Sequence, residues 1–166
     1  MFELKRLSRE ALPGALEKAD RYRLLGEPLD AECICRDVLD VDPDNRTAMI
    51  TLVLALSEQF QRRLGEKYDQ AHEIVLELGD EYGRAYYEGL LCERRAKVVL
   101  ERNDAGSGSM AYSWFTQAMA HFERAIELRP AGNDDPILRW NTCARYLNRH
   151  PNLKPEPEAR TPEMLE

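Results

Sequence analysis

Apolar residues recur three and four positions apart along almost the whole chain, and nowhere do apolar and polar residues alternate with the period of a strand. The pattern predicts an all-α protein of about seven helices. The first spans about Leu12 to Leu25, with Pro13 in its first turn and Gly26 as its stop. The second runs from Pro28 to about Val41, where Asp42-Pro43-Asp44-Asn45 breaks it and caps the next. The third spans about Arg46 to Arg62 and carries Met49, Leu52, Val53 and Leu56 on one face. The fourth spans about Lys67 to Leu78 and ends at Gly79. A long fifth follows, about Glu81 to Arg102. Residues 103–109, Asn-Asp-Ala-Gly-Ser-Gly-Ser, read as a flexible loop. The sixth helix spans about Met110 to Leu128. The seventh runs to about Asn148, with Asp135 as its cap and Pro136 at its first position.

One spacing occurs twice. Ala31, Cys35, Val38 and Pro43 stand 4, 3 and 5 residues apart, and Ala118, Phe122, Ala125 and Pro130 repeat those gaps. In both places an apolar-striped, partly acidic helix end leads into the proline. Small residues at Ala19 and Ala31 let two antiparallel helices approach closely. Tyr22 and Cys35 fill the space between them, and Pro43 stops the second helix so that the chain can turn back.

These residues resemble the tetratricopeptide repeat, a helix–turn–helix unit of about 34 residues. In the first unit Ala15, Lys18, Ala19 and Tyr22 match the first-helix positions, with Lys18 in place of the usual Leu. The second helix carries Ala31, Cys35, Val38 and Pro43. A second unit begins at Arg46 and continues through Ala71, Val75 and Leu78. Ala71 lies 40 residues after Ala31, and Ala118 lies 47 after Ala71, so insertions fall around 60–66 and in the third unit. The resemblance implies a right-handed α-solenoid of antiparallel helix pairs. Its units would be about 12–45, 46–80 and 81–132, with a capping helix at 134–148. Residues 1–11 would form an N-terminal extension, and 151–166 an acidic, proline-rich disordered tail.

Charge narrows the partners. The 30 acidic and 23 basic residues leave a net charge of −7, which argues against a general nucleic-acid binder. No apolar stretch is long enough to span a bilayer and no secretory signal is visible, so a soluble, cytoplasmic protein with reduced thiols is expected. Cys33, Cys35, Cys92 and Cys143 then read as small fillers or inert surface thiols. His72-Glu73 lacks the second histidine that a helical zinc site needs, because Leu76 stands one turn on. His121 and His150 have no ligand partners in sequence. The Gly/Ser loop lacks the Lys-Ser/Thr of a phosphate loop. No metal, cofactor or catalytic constellation is expected, and the protein is read as a non-enzyme.

Arrays of this kind bind proteins or peptides in a concave groove lined by the first helix of each pair. Here the resemblance and helical projection place Leu16, Asp20, Arg23, Ile50, Leu54, Ser57, Tyr87, Leu90 and Arg94 on that surface. Either they form an open groove, or the seventh helix or the tail covers them. One subgroup of such arrays grips a C-terminal carboxylate with Lys, Asn and Arg. The matching positions Leu16, Asp20 and Thr51 do not supply those donors. A basic run, Arg94-Arg95-Ala96-Lys97, with Arg139 and Arg145, reads either as an acidic-partner or phosphate patch, or as a solvated face neighboured by Glu88, Glu93 and Glu101. The spacing favours the solvated face. A secondary patch of Tyr86, Arg139, Trp140 and Asn141, with Arg94, marks where a small ligand or an active site would sit. Self-association into a homo-oligomer through the apolar strip is the remaining alternative.

Overall fold

In a computed structural model, residues 2–156 form seven α-helices and, among those residues, no strand. After a short 3-10 turn at Arg9–Ala11 they are α1 (Leu12–Leu24), α2 (Pro28–Val41), α3 (Arg46–Ser57), α4 (Phe60–Glu77), α5 (Glu81–Arg102), α6 (Ser107–Leu128) and α7 (Asp135–Arg149). The all-α expectation therefore holds. Residues 157–166, most of the expected tail, lie outside the described residues. Of the rest of that segment, Leu153 is buried against the α6–α7 side, beside Phe115 and Cys143.

The helix boundaries follow local chemistry. Gly26, with φ of +78°, takes the left-handed conformation between α1 and α2. Asn45 caps α3 by accepting a hydrogen bond from Ala48 N at 3.0 Å, and Asp80 caps α5 by accepting from Gly83 N. Three boundaries differ from the sequence reading. The third helix stops at Ser57, whose hydroxyl turns back to the Leu54 carbonyl at 2.8 Å, and not near Arg62. The fourth starts at Phe60, bends at Arg63 and continues, so the inserted residues around 60–66 belong to a helix. Phe60 and Leu64, one turn apart, are buried, and this outweighs the polar Arg62, Arg63, Gly65 and Glu66 between and after them. The sixth helix starts at Ser107, within the expected loop. The cap of α7 also differs: it is Asp134, not Asp135, and its side chain makes no capping hydrogen bond, while Asn133 Oδ1 accepts from Asp135 N at 3.2 Å just before it.

Each helix packs against its neighbours in sequence. Beyond these pairs, α1 touches α3, α3 touches α5 and α5 touches α7. The twice-occurring spacing explains the pairing. Ala31, Cys35 and Val38 of α2 and Ala118, Phe122 and Ala125 of α6 are all fully buried, and Pro43 and Pro130 follow just after their helices end. Ala71 and Val75 take the same role on α4. Small buried residues mark the pairing faces. The closest case is Gly89 on α5, where an added Cβ would lie 2.6 Å from Cε1 of the buried Phe122 ring.

That contact yields a stability test. Alanine at Gly89 gains up to about 1 kcal/mol of helix propensity but forces a fully buried ring to move, an overpacking cost of about 1–3 kcal/mol. Gly89→Ala is expected to be destabilised by about 1–2 kcal/mol in urea unfolding. Gly14→Ala, with no atom near its new methyl group, is expected to be neutral or slightly stabilised.

Candidate functional site

The surface expected to bind a partner is built by α1, α3 and α5. Its polar side chains engage one another across helices. Arg23 of α1 donates to both Glu58 oxygens at 2.7 and 3.2 Å, and to Asp20 at 3.2 Å. Glu58 follows the last turn of α3. It also lies 3.7 Å from the Arg94 guanidinium of α5. Arg94 donates in turn to the Leu54 carbonyl at 3.2 Å and to Ser57 Oγ. Burial lowers the basicity of both arginines. In Arg23 the carboxylates of Glu58 and Asp20 overcome it, and the guanidinium is held above its ordinary value. In Arg94 burial wins over the attraction of Glu58, and the pKa falls below its ordinary value.

The nine expected surface residues therefore divide. Asp20 is exposed, and Leu16, Arg23, Ile50, Leu54, Tyr87 and Arg94 are partly exposed. Leu90 and Ser57 are buried, at 1% and 4% relative exposure, and present little surface to a partner. Leu90 faces the core because α5 packs on α3, α4, α6 and α7 at once, which buries almost its whole circumference. The seventh helix packs on α6 and α5.

The secondary patch divides: Arg139 lies against Tyr86 and Glu93, and Trp140 turns away. Arg139 reaches Glu93 at 3.4 Å, whereas Trp140, the next residue, donates from Nε1 to Glu123 of α6 at 3.1 Å. Adjacent residues of a helix point about 100° apart, so the pair turns towards different neighbours. Asn141 is partly exposed, and Tyr86 packs edge-on to Tyr87 with ring centroids 5.1 Å apart. Burial lowers Arg139, but Glu93 and Tyr86 together raise its pKa above the ordinary value. Glu93 is fully buried and holds both Lys97 and Arg139. The basic run is thus largely internal: Arg94 and Lys97 are committed to Glu58 and Glu93.

A second chain of charges, which the sequence did not reveal, joins the even helices. Glu32 on α2 is buried. It accepts from Lys67 Nζ at 2.9 and 3.1 Å, from Gln59 at 2.7 Å and from Arg36 at 2.8 and 3.0 Å. Burial alone would raise its carboxyl pKa, but these donors outweigh burial and hold it below the usual carboxylate range. A possible signal was Glu32–Lys67 at a separation of 35, close to one repeat length. His72, read as lacking a zinc partner, is half-exposed. Its Nδ1 lies 2.8 Å from Glu88 Oε1, a hydrogen bond when that nitrogen carries the proton.

Among the described residues no group of three or more His, Cys, Asp or Glu is placed to hold a metal ion, and no helix is long and apolar enough to cross a membrane. No protein-family model, curated protein or solved structure matches the chain.

Two outcomes check this electrostatic and packing picture. Replacing Glu32 with Gln leaves the buried Lys67 without a charged partner, and a loss of about 3 kcal/mol in urea unfolding at neutral pH is expected. Because the folded carboxyl is the stronger acid, its contribution is complete above the unfolded pKa of about 4.3 and is lost as pH falls below it. The difference between Glu32→Gln and the parent should therefore shrink in acid. Thiol labelling gives the second check. Cys33 is exposed, while burial raises the Cys35 and Cys143 thiols to about 12 and Cys92 to about 11. One thiol should react promptly in the native protein, and the other three only on unfolding.

Proposed function

We propose that this chain is a tetratricopeptide-like helical solenoid that binds a peptide or partner segment, without catalysis, across the shared surface of α1, α3 and α5. The observation that carries the reading is the Arg23–Glu58–Arg94 chain. It ties three successive odd-numbered helices side by side, in the order in which the repeat would place its groove-lining helices. The three units then present Leu16, Ile50 with Leu54, and Tyr87, all partly exposed, to one partner. A surface already held in place loses little side-chain entropy on binding, which favours recognition of extended or helical segments.

The placement of α7 against α5 and α6 favours an open groove over one covered by the last helix.

The test uses a peptide selected from a random display library on the parent protein. Ile50→Asp with Leu54→Asp should weaken binding by at least about tenfold, the cost of placing charge in an apolar contact. Because Ile50 and Leu54 both pack on the main core, Leu16→Glu, at a partly exposed position that packs on the separate Leu12, Val38, Val41 and Ala48 cluster, is the second variant; Leu29→Glu, at an exposed position of α2, is the control. Unchanged affinity in folded Leu16→Glu and in folded double variant would overturn the groove. A parent protein that binds no peptide, but whose light scattering shows reversible self-association abolished by Leu16→Glu, would instead favour the homo-oligomer.

A further inference from the structure

The basic run of α5 contains one cation that the intramolecular network leaves out. Arg94 is bound to Ser57 and the Leu54 carbonyl, and Lys97 to Glu93. Arg95 has no hydrogen bond or ion pair among the described residues, and its Nε is buried without a partner. Its guanidinium is nonetheless fixed. Cζ lies 4.4 Å from the centroid of the Tyr68 ring on α4 and 4.1 Å from that of Trp114 on α6. Rings on a guanidinium hold it through its faces and leave its N–H edge for an acceptor in the same plane.

Arg95 lines a cavity bounded by the last turns of α5, the start of α6 and Leu64 of α4. Arg102 supplies a second cation there. Ser107, 7% exposed, lines the same cavity, and its hydroxyl has no hydrogen-bond partner among the described residues. It opens α6, whose cap Gly106 has no side chain; Ser107 N donates to the Asp104 carbonyl and Met110 N to the Gly106 carbonyl, which leaves the Gly108 and Ser109 amides of the first turn. Leu64, Val99 and Met110 form the apolar wall. Asp104 also lines the cavity, but it makes no ion pair with either arginine.

We propose that this cavity binds a phosphate monoester, with Arg95 as the anchoring fork, Arg102 as the second charge, and Ser107 and the amino end of α6 as further donors. Two guanidinium groups and a hydroxyl line one cavity at the amino end of α6, a mixed set of donors that suits a tetrahedral dianion better than a planar carboxylate. The apolar wall suits an ester that carries its phosphate on an apolar stem. This site is built from residues other than those of the α1–α3–α5 surface and does not depend on the groove reading.

Trp114 reports on the site directly. In a Trp140→Phe protein it is the remaining tryptophan of the two in the chain. Phenyl phosphate, titrated at constant ionic strength, should change its emission saturably, with a Kd of about 1 mM or tighter. Inorganic phosphate should bind more weakly, and benzoate weaker still. Arg95→Gln should weaken phenyl phosphate by at least about tenfold, and Arg102→Gln and Ser107→Ala by about threefold or more, whereas Arg9→Gln should leave it unchanged. If Arg95→Gln fails to fold, the Arg102 and Ser107 variants decide the matter. A parent that shows no saturation by about 20 mM phenyl phosphate would overturn the proposal. So would equal binding by folded Arg95→Gln, or, should that variant not fold, by both Arg102→Gln and Ser107→Ala. Benzoate binding as tightly as phenyl phosphate would overturn the assignment to a phosphate.

Discussion

Close approach between antiparallel helices is the constraint on which the rest of this structure depends. At the pairing faces a large side chain meets a small one: Phe122 lies over Gly89, and Ala19, Ala31, Ala71 and Ala118 are fully buried. Interiors packed at near-crystal density tolerate little change in such contacts. The pairing fixes where the odd helices lie relative to one another. The position of Arg23, Glu58 and Arg94 across three helices follows from it. The same holds for the guanidinium of Arg95 between rings contributed by α4 and α6.

Charge is then used in a way unusual for a chain with this net acidity. Glu32 and Glu93 are buried, and each is held by two cations. Such pairs add little net stability relative to well-packed apolar residues, but breaking one side is costly. Their effect is on register: Glu32 is satisfied only when α2 and α4 are aligned, and Glu93 only when α7 lies against α5. Two faces emerge with different character. On α1, α3 and α5 the charges neutralise one another and leave apolar side chains between them. Beside the α5–α6 turn, two arginines are left without carboxylate partners among the described residues.

The helices were legible because their apolar stripes are strong and their stops are glycine, proline and asparagine with defined backbone roles. Gly26, Asn45 and Pro43 each acted as their chemistry requires. The α3–α4 boundary was not legible. Phe60 and Leu64 are too few to register as a stripe among Arg62, Arg63, Gly65 and Glu66, and only burial across the fold shows that they begin a helix. Of the nine positions projected onto the α1, α3 and α5 surface, Leu90 and Ser57 lie buried, and for Leu90 the reason is that α5 meets four other helices and leaves little free surface. The basic run was read as a solvated face with acidic neighbours. Its neighbours are acidic, yet Glu93 is fully buried, and Arg95 is held by Tyr68 and Trp114 from other helices. Contacts of that range leave no trace in local spacing.

The central functional claim is that the odd-numbered helices present one binding face. Methyl-resolved NMR of the chain, titrated with its selected peptide, tests this most directly. Shift changes should concentrate on the methyl groups of Leu16, Ile50 and Leu54, while those of Leu29, Leu76 and Met110, exposed on the even helices, stay in place. Changes confined to the even-helix methyl groups, with Leu16, Ile50 and Leu54 unmoved, would contradict the claim.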